Sequence, residues 1–203
     1  MEISENSVLL RGELEGLPQF SHENHGRRFF RFFLRVPRLS GAEDVLPVIA
    51  QENLLAALDP SGGGMLCVRG QIRSHNLREN GRRHLLVFVF ALSLEADDGA
   101  PANEVRLQGA LCRQPNLRRT PLGREICDVM LDIPRAYRRA DYLPCILWGR
   151  TAQELAACRT GDVVAIQGRL QSRVYTKQTE EGSAQRTAYE ISALSAQIAE
   201  DPM

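Results

Sequence analysis

The sequence contains one lysine, one tryptophan and no long apolar run. Its longest uninterrupted apolar stretch, residues 85–92, is far shorter than the roughly 20 residues that span a bilayer as a helix. No membrane association is therefore expected. The opening Met1-Glu2-Ile3-Ser4-Glu5 is acidic and lacks an apolar stretch, so no secretory leader is expected. The five cysteines (67, 112, 127, 145 and 158) are odd in number, scattered, and never in a C-x-x-C spacing. That argues against a disulfide framework or zinc site and for a reducing cytoplasm. The four histidines all lie in the first half, at 22, 25, 75 and 84. His22-Glu23-Asn24-His25 falls in an expected solvated loop, with no helix to set two imidazoles on one face, so no metal is expected. There is no Ser/His/Asp or Cys/His set and no paired carboxylates in a glycine-rich setting. Neither catalysis nor a cofactor is expected.

What is present is balanced and uneven at once. Lys+Arg and Asp+Glu both number 25, giving zero formal net charge, and 43% hydrophobic content suffices for a packed core. Of the basic residues 24 are arginine, which pairs with phosphate bidentately and stacks on bases. GC-rich codons would give the same bias. All seven Phe lie between Phe20 and Phe90, whereas the four Tyr and the Trp lie between Tyr137 and Tyr189. Tyr and Trp carry a polar edge suited to a half-wet surface, which Phe lacks.

An internal repeat sets the architecture. At an offset of 97, residues 6–49 match residues 103–146 at 14 of 44 positions, where unrelated segments would give roughly three. The identities include Asn6/Asn103, Val8/Val105, Gly12/Gly109, Arg38/Arg135 and Asp44/Asp141. At an offset of 98, Gly70 and Ser74 match Gly168 and Ser172, and at 102, residues 91–93 match 193–195. The four residues gained are expected in the loop of the second half's last hairpin, within 176–186. The chain reads as one domain duplicated: 1–96, a linker at 97–102, 103–199, and a short tail at 200–203.

Each copy reads as mostly strand. In the second copy, strands are expected at 104–112, 125–133, 142–148, 162–175 and 186–196. A loop covers 113–124, and a helix over 151–158 is capped by Thr151 and ended by Gly161. The first copy repeats this order, with its helix at 51–58 and a last hairpin turning on Asn80-Gly81. The fold class expected is all-β: two tandem five-stranded OB barrels, each with a short helix between strands three and four.

The second copy resembles the bacterial single-stranded DNA-binding protein family over nearly all of 103–199. The resemblance rests on an ordered set that opens with Asn103-Glu104-Val105-x-Leu107-x-Gly109 and Pro115-x-x-Arg118-x-Thr120-Pro121-x-Gly123. It continues through Arg135-x-Tyr137, Asp141-Tyr142-x-Pro144-Cys145-Ile146-x-Trp148-Gly149, and a stretch from Gly161-Asp162 to Arg173-x-Tyr175. The resemblance implies that Tyr137, Tyr142, Trp148 and Tyr175 stack bases. It also implies single-stranded DNA as partner, a role in replication, recombination or repair, and four OB barrels per assembly. Two barrels per chain then imply a homodimer, with a tetramer as the alternative. Family members commonly recruit replication and repair proteins through an acidic-hydrophobic tip; Glu200-Asp201-Pro202-Met203 is only a weak echo of it.

The residues themselves point the same way. Tyr142 and Trp148 share a strand face opposite Leu143, Cys145 and Leu147. Rings interleaved with cations suit single strands, because bases stack on rings while cations track phosphates. The candidate cations are Arg113, Arg118, Arg119, Arg135, Arg138, Arg139, Arg150, Arg169, Arg173 and Lys177. The rival reading for each ring is burial in the barrel core, and for Tyr189 core or interface is the better one. The first copy has Ser40, Val45, Gln51 and Leu77 at the four ring positions. Residues 1–100 carry a net charge of −2 (11 against 13) and residues 101–203 a net of +2 (14 against 12). In 28–36, the repeat register puts Phe30, Phe32 and Leu34 in the core. Phe29, Arg31, Phe33 and Arg35 are left as an interface, as internal packing, or as a second binding face. The alternatives to DNA binding are a primosome-type scaffold acting through protein contacts, or RNA binding.

Overall fold

A computed structural model describes residues 5–58, 63–79, 82–179 and 182–199. Strands β1 (Asn6–Asn24), β2 (Arg27–Pro37), β3 (Glu43–Gln51), β4 (Met65–Glu79) and β5 (Arg82–Ala96) close one barrel. The ring of pairings is β1–β2–β3–β5–β4–β1, antiparallel except for the β3–β5 contact. Strands β6 (Ala102–Leu111), β8 (Glu125–Arg135), β9 (Arg139–Trp148), β10 (Val163–Thr179) and β11 (Gly182–Ile198) close a second barrel in the same way, with β9–β11 parallel. A short β7 (Asn116–Arg119) hairpins onto β8.

Each barrel interior is filled by inward-facing residues of the alternating pattern. Leu10, Leu34, Leu46, Val68 and Val89 are buried in the first, and Leu107, Leu131, Leu143, Ile166 and Ile191 in the second. These two sets are repeat counterparts of each other. Burying each such side chain contributes about 1.5–3 kcal/mol. Both copies also carry the same β-bulge, at Arg69/Gly70 and at Gln167/Gly168. A Cβ on Gly70 or Gly168 would collide with the carbonyl oxygen of Phe90 or Ser192, so the close strand approach there requires glycine.

The barrels are joined edge to edge by β1 and β6, which pair antiparallel from Asn6↔Leu107 to Arg11↔Ala102. The linker is braced by Arg11, whose Nε donates to Asp97 at 2.8 Å and whose Nη1 donates to the Ala100 carbonyl at 3.0 Å.

Several expectations are corrected. The helix α1 runs Gly149–Ala156 with Trp148, not Thr151, at its N-cap, and it ends at Ala157 rather than Gly161. Gly149, at φ 57°, lets the chain turn directly from strand into helix. The first copy has a 3₁₀ helix, Glu52–Ala57, in the matching place. The expected loop at 113–124 contains β7. The four extra residues of the second copy do not enlarge a loop. They lengthen both arms of the β10–β11 hairpin, 17 residues each against 15 in β4 and β5. His22 to Asn24 lie in β1, whose hairpin turns at His25-Gly26. The Asn80-Gly81 turn and the 200–203 tail lie outside the described residues.

The Phe-rich strand also departs from expectation. Phe29 faces outward yet is buried, because the His22 ring stacks on it at 4.9 Å and Phe90 packs at 6.0 Å. Phe30 is only half-buried, set edge-on to Phe20 at 5.8 Å with the Arg28 guanidinium 5.2 Å from its ring. Alternation holds from Phe32 onward, but at Phe29 and Phe30 the long β1 arm decides which ring is covered.

Candidate nucleic-acid interface

The outward face of the second barrel is built by β7, β8, β9, β11 and β10. Cross-strand partners share a face, so the register lays out its rows. One row runs Arg118–Ile126–Trp148 and the next Asn116–Asp128–Ile146–Ser192–Arg169. Further along, Gln171 lies opposite Glu190, Arg173 opposite Ala188, and Tyr175 opposite Arg186. On β9 Leu143, Cys145 and Leu147 are buried and Tyr142 and Trp148 are each 39% exposed, while Ile146, on the same side as the two rings, is also buried.

Three of the four candidate rings lie on strands of this barrel. Trp148 is fixed by its indole N–H, which donates to Ser192 Oγ at 3.3 Å. Tyr175 is 37% exposed on the long arm of β10, with the Arg173 guanidinium 5.7 Å from its ring centre. Tyr142 stands at the opposite end of β9 from Trp148. The fourth, Tyr137, is 95% exposed in the turn between β8 and β9. It and Arg138 hold φ of 60° and 55°, a left-handed backbone that non-glycine residues seldom adopt. Two such residues in succession turn the chain tightly between the paired strands β8 and β9, and leave the Tyr137 ring in solvent.

The candidate cations separate into two groups. Arg118 pairs with Asp128, Arg119 with Glu125, Arg135 with Asp141, Arg150 with Glu154, and Arg173 more loosely with Glu190. The hydrogen bond to Asp128 holds the Arg118 pKa above its ordinary value. Arg113, Arg138, Arg139 and Arg169 form no ion pair among the described residues. The Nε of Arg169 is buried without a hydrogen-bond partner among those residues. The Lys177 side chain lies outside the described residues.

The sequence reading missed Ser192, which orients the tryptophan, and Glu190, which sits among the cations. Glu190 accepts from Gln171 at 3.0 Å and lies 3.7 Å from Arg173. Its parity with Ser192 in the last strand was the available signal. No group of three metal-ligating side chains occurs among the described residues.

The first barrel presents a different surface at the matching place. There Phe29, Gln51 and Phe90 stand where the second barrel has Ile126, Trp148 and Ser192; the His22 ring stacks on Phe29, which packs in turn on Phe90. Arg35 lies 3.3 Å from Glu15 and 3.7 Å from Glu43. Arg31 and Phe33 border a cavity of about 530 Å³ that Tyr189 and Arg135 of the second barrel also line. Burial pushes the Tyr189 hydroxyl pKa up, with Arg31 opposing. Most of these first-barrel rings therefore pack within the chain.

The model of the single-strand binding protein family matches residues 102–199. Single-stranded DNA-binding protein B of Bacillus subtilis is 38% identical over 87 residues, which are 39% of this chain and 75% of that protein. The single-stranded DNA-binding protein of Oceanobacillus iheyensis is 35% identical over 107 residues, 48% of this chain and 63% of that one. The solved structure of the single-stranded DNA binding protein from Thermus aquaticus is similar with a TM-score of 0.79, covering 98% of this chain and 95% of that one at 22% identity. At that identity the likeness is one of fold, and it extends over both barrels.

Proposed function

This chain belongs to the single-strand binding protein family, and from that premise we propose that it binds single-stranded DNA without strong sequence preference. The observation that carries the reading is the outward face of the second barrel. Trp148 and Tyr175 stand exposed there with Arg118, Arg169 and Arg173 between and beside them. Each base stacked on such a ring contributes about 1–3 kcal/mol whatever the base. Arginines that exchange protein carboxylates for phosphates make the affinity fall as salt rises. The activity is binding, without catalysis.

In this reading residues 103–199 carry the DNA site, with Tyr137, Tyr142, Trp148 and Tyr175 as stacking rings. Arg113, Arg138, Arg139 and Arg169 are the readiest phosphate partners; Arg118, Arg119, Arg150 and Arg173 would have to trade a surface carboxylate. Residues 1–96 are a degenerate copy without stacking rings. A homodimer suits the outer face of β5–β4–β1–β6–β10–β11, where Leu92 and its repeat counterpart Leu194 are both exposed. The setting proposed is cytoplasmic, at the nucleoid, in replication, recombination or repair. Alanine at Trp148 and Tyr175 should weaken oligonucleotide binding strongly, whereas alanine at Val45 and Leu77 should not. Equal effects at both pairs would refute the assignment.

A further inference from the structure

The two copies grip each other through a reciprocal set of buried bonds. Asp44, on β3 of the first barrel, is 1% exposed. Its carboxylate accepts from the Ser172 backbone N–H at 2.6 Å and from Ser172 Oγ at 3.0 Å. Arg38 Nε donates to the same carboxylate at 2.7 Å, and Arg38 Nη2 donates to the Ser172 carbonyl at 2.9 Å. Asp141, the repeat counterpart of Asp44, is 0% exposed. It accepts from the Ser74 N–H at 2.7 Å, from Arg73 at 2.9 Å and from Arg135 at 3.3 Å. Ser74 Oγ in turn accepts from the Tyr142 N–H at 2.7 Å.

Both grips bear on the ring-carrying face. Ser172 lies on β10 three residues before Tyr175, and Tyr142 is held directly. Beyond the barrel the β10–β11 arm is a two-stranded ribbon, a form of marginal stability by itself. Asp44 stays paired with Arg38 inside the first barrel, but a displaced arm would strip this buried carboxylate of the Ser172 N–H and hydroxyl bonds, and that loss fixes the ribbon in one place.

We infer that the first barrel, which lacks stacking rings, serves as the positioning half of the binding site. Asp44 and Arg38 hold the arm that carries Tyr175, and Ser74 holds the strand that carries Tyr142. These are positioning residues: they act on the DNA through the rings. The inference rests on the binding reading above. It gives the first copy a function in that site which needs no DNA contact of its own, and it explains why Arg38/Arg135, Asp44/Asp141 and Ser74/Ser172 are identical between the copies while the ring positions are not.

The test is a coupling measurement on the full chain, titrating an oligo-dT strand and following Trp148 fluorescence. Asp44→Ala should weaken binding about tenfold, comparable to Tyr175→Ala. The double variant should bind within about twofold of Tyr175→Ala alone, because coupled sites are not additive. The slope of affinity against salt should stay unchanged, since no phosphate contact is removed. Asp44→Asn, which keeps an oxygen for the Ser172 N–H, should recover part of the loss. Should Asp44→Ala fail to fold by circular dichroism, Ser74→Ala against Tyr142→Ala decides by the same criterion. Equal fold-losses with and without the ring would overturn the inference, as would wild-type affinity in a folded Asp44→Ala or Ser74→Ala. A wild-type chain that ignores oligo-dT would overturn the binding reading itself, and this inference with it.

Discussion

Val8 on β1 lies directly opposite Val105 on β6, and the two are each other's counterparts in the repeat. Around them Asn6 faces Leu107 and Leu10 faces Asn103, so the ladder reads the same from either strand. A self-complementary register of this kind is how two identical subunits meet across a two-fold axis. Here both sides belong to one chain, and the Asp44 and Asp141 grips obey the same symmetry.

The linker should therefore be dispensable for keeping the halves together. With a protease site engineered at 98–100 and cut, the halves should still co-elute in size-exclusion chromatography without denaturant. Separation into two peaks would show that the β1–β6 ladder and the reciprocal grips are weaker than the covalent tether.

Asn6 and Asn103 tie each copy's first strand to its fourth. Asn103 donates to the Leu170 carbonyl at 2.7 Å and accepts from the Leu170 N–H at 2.9 Å; Asn6 does the same with Ile72, at 2.8 Å for both bonds. Alanine at either site leaves part-buried backbone groups unpaired and should cost about 1–3 kcal/mol in urea unfolding. Similar losses at both sites are expected; a loss at only one would mean that the copies do not share this bond.

Glu190 stands among the cations of the binding face. Glu190→Gln removes a negative charge beside Arg173 and frees that guanidinium for phosphate. Binding to oligo-dT should tighten at low salt, and the log–log salt slope should steepen by about 0.7 for one added single-strand phosphate contact. Weaker binding with an unchanged slope would show that Glu190 is needed to hold Gln171 and Arg173 in place.

The thiols should separate by exposure and by pH. Cys112 is exposed, but partial burial of its sulfur pushes the thiol pKa up, with Arg113 opposing and Asp132 adding. Burial, then the Glu190 charge, pushes Cys145 up much further. A raised pKa leaves less thiolate at a given pH, so alkylation of the native protein should be slow near neutrality and speed up as pH rises. Mass spectrometry should find the label on Cys112 alone until denaturant is added. Early labelling of Cys67, Cys127, Cys145 or Cys158 would contradict the packing.

Much of the fold was legible in the sequence because it is local and repeated. Alternation gave the strands, and the offset of 97 gave both barrels. Trp148 and Tyr142 faced outward as parity required. Contacts between residues distant in sequence could not be read this way. Nothing near Asp44 announces that its bonding partner is 128 positions away at Ser172, so its identity with Asp141 was visible but not its purpose. Arg135 looked like a free cation until its partner Asp141 was placed. Parity alone leaves Phe29 bare, whereas His22 from the neighbouring β1 arm covers it. The inserted residues were expected in a loop, yet a two-stranded ribbon absorbs an even insertion by adding pairs, which keeps its faces in register.

The intrinsic fluorescence of Trp148 during titration with oligo-dT across a salt series reports directly on whether this face binds single-stranded DNA. Stacking on the second barrel's outward face predicts saturable quenching, with affinity falling linearly in log–log form as salt rises. A flat titration at low salt would contradict it.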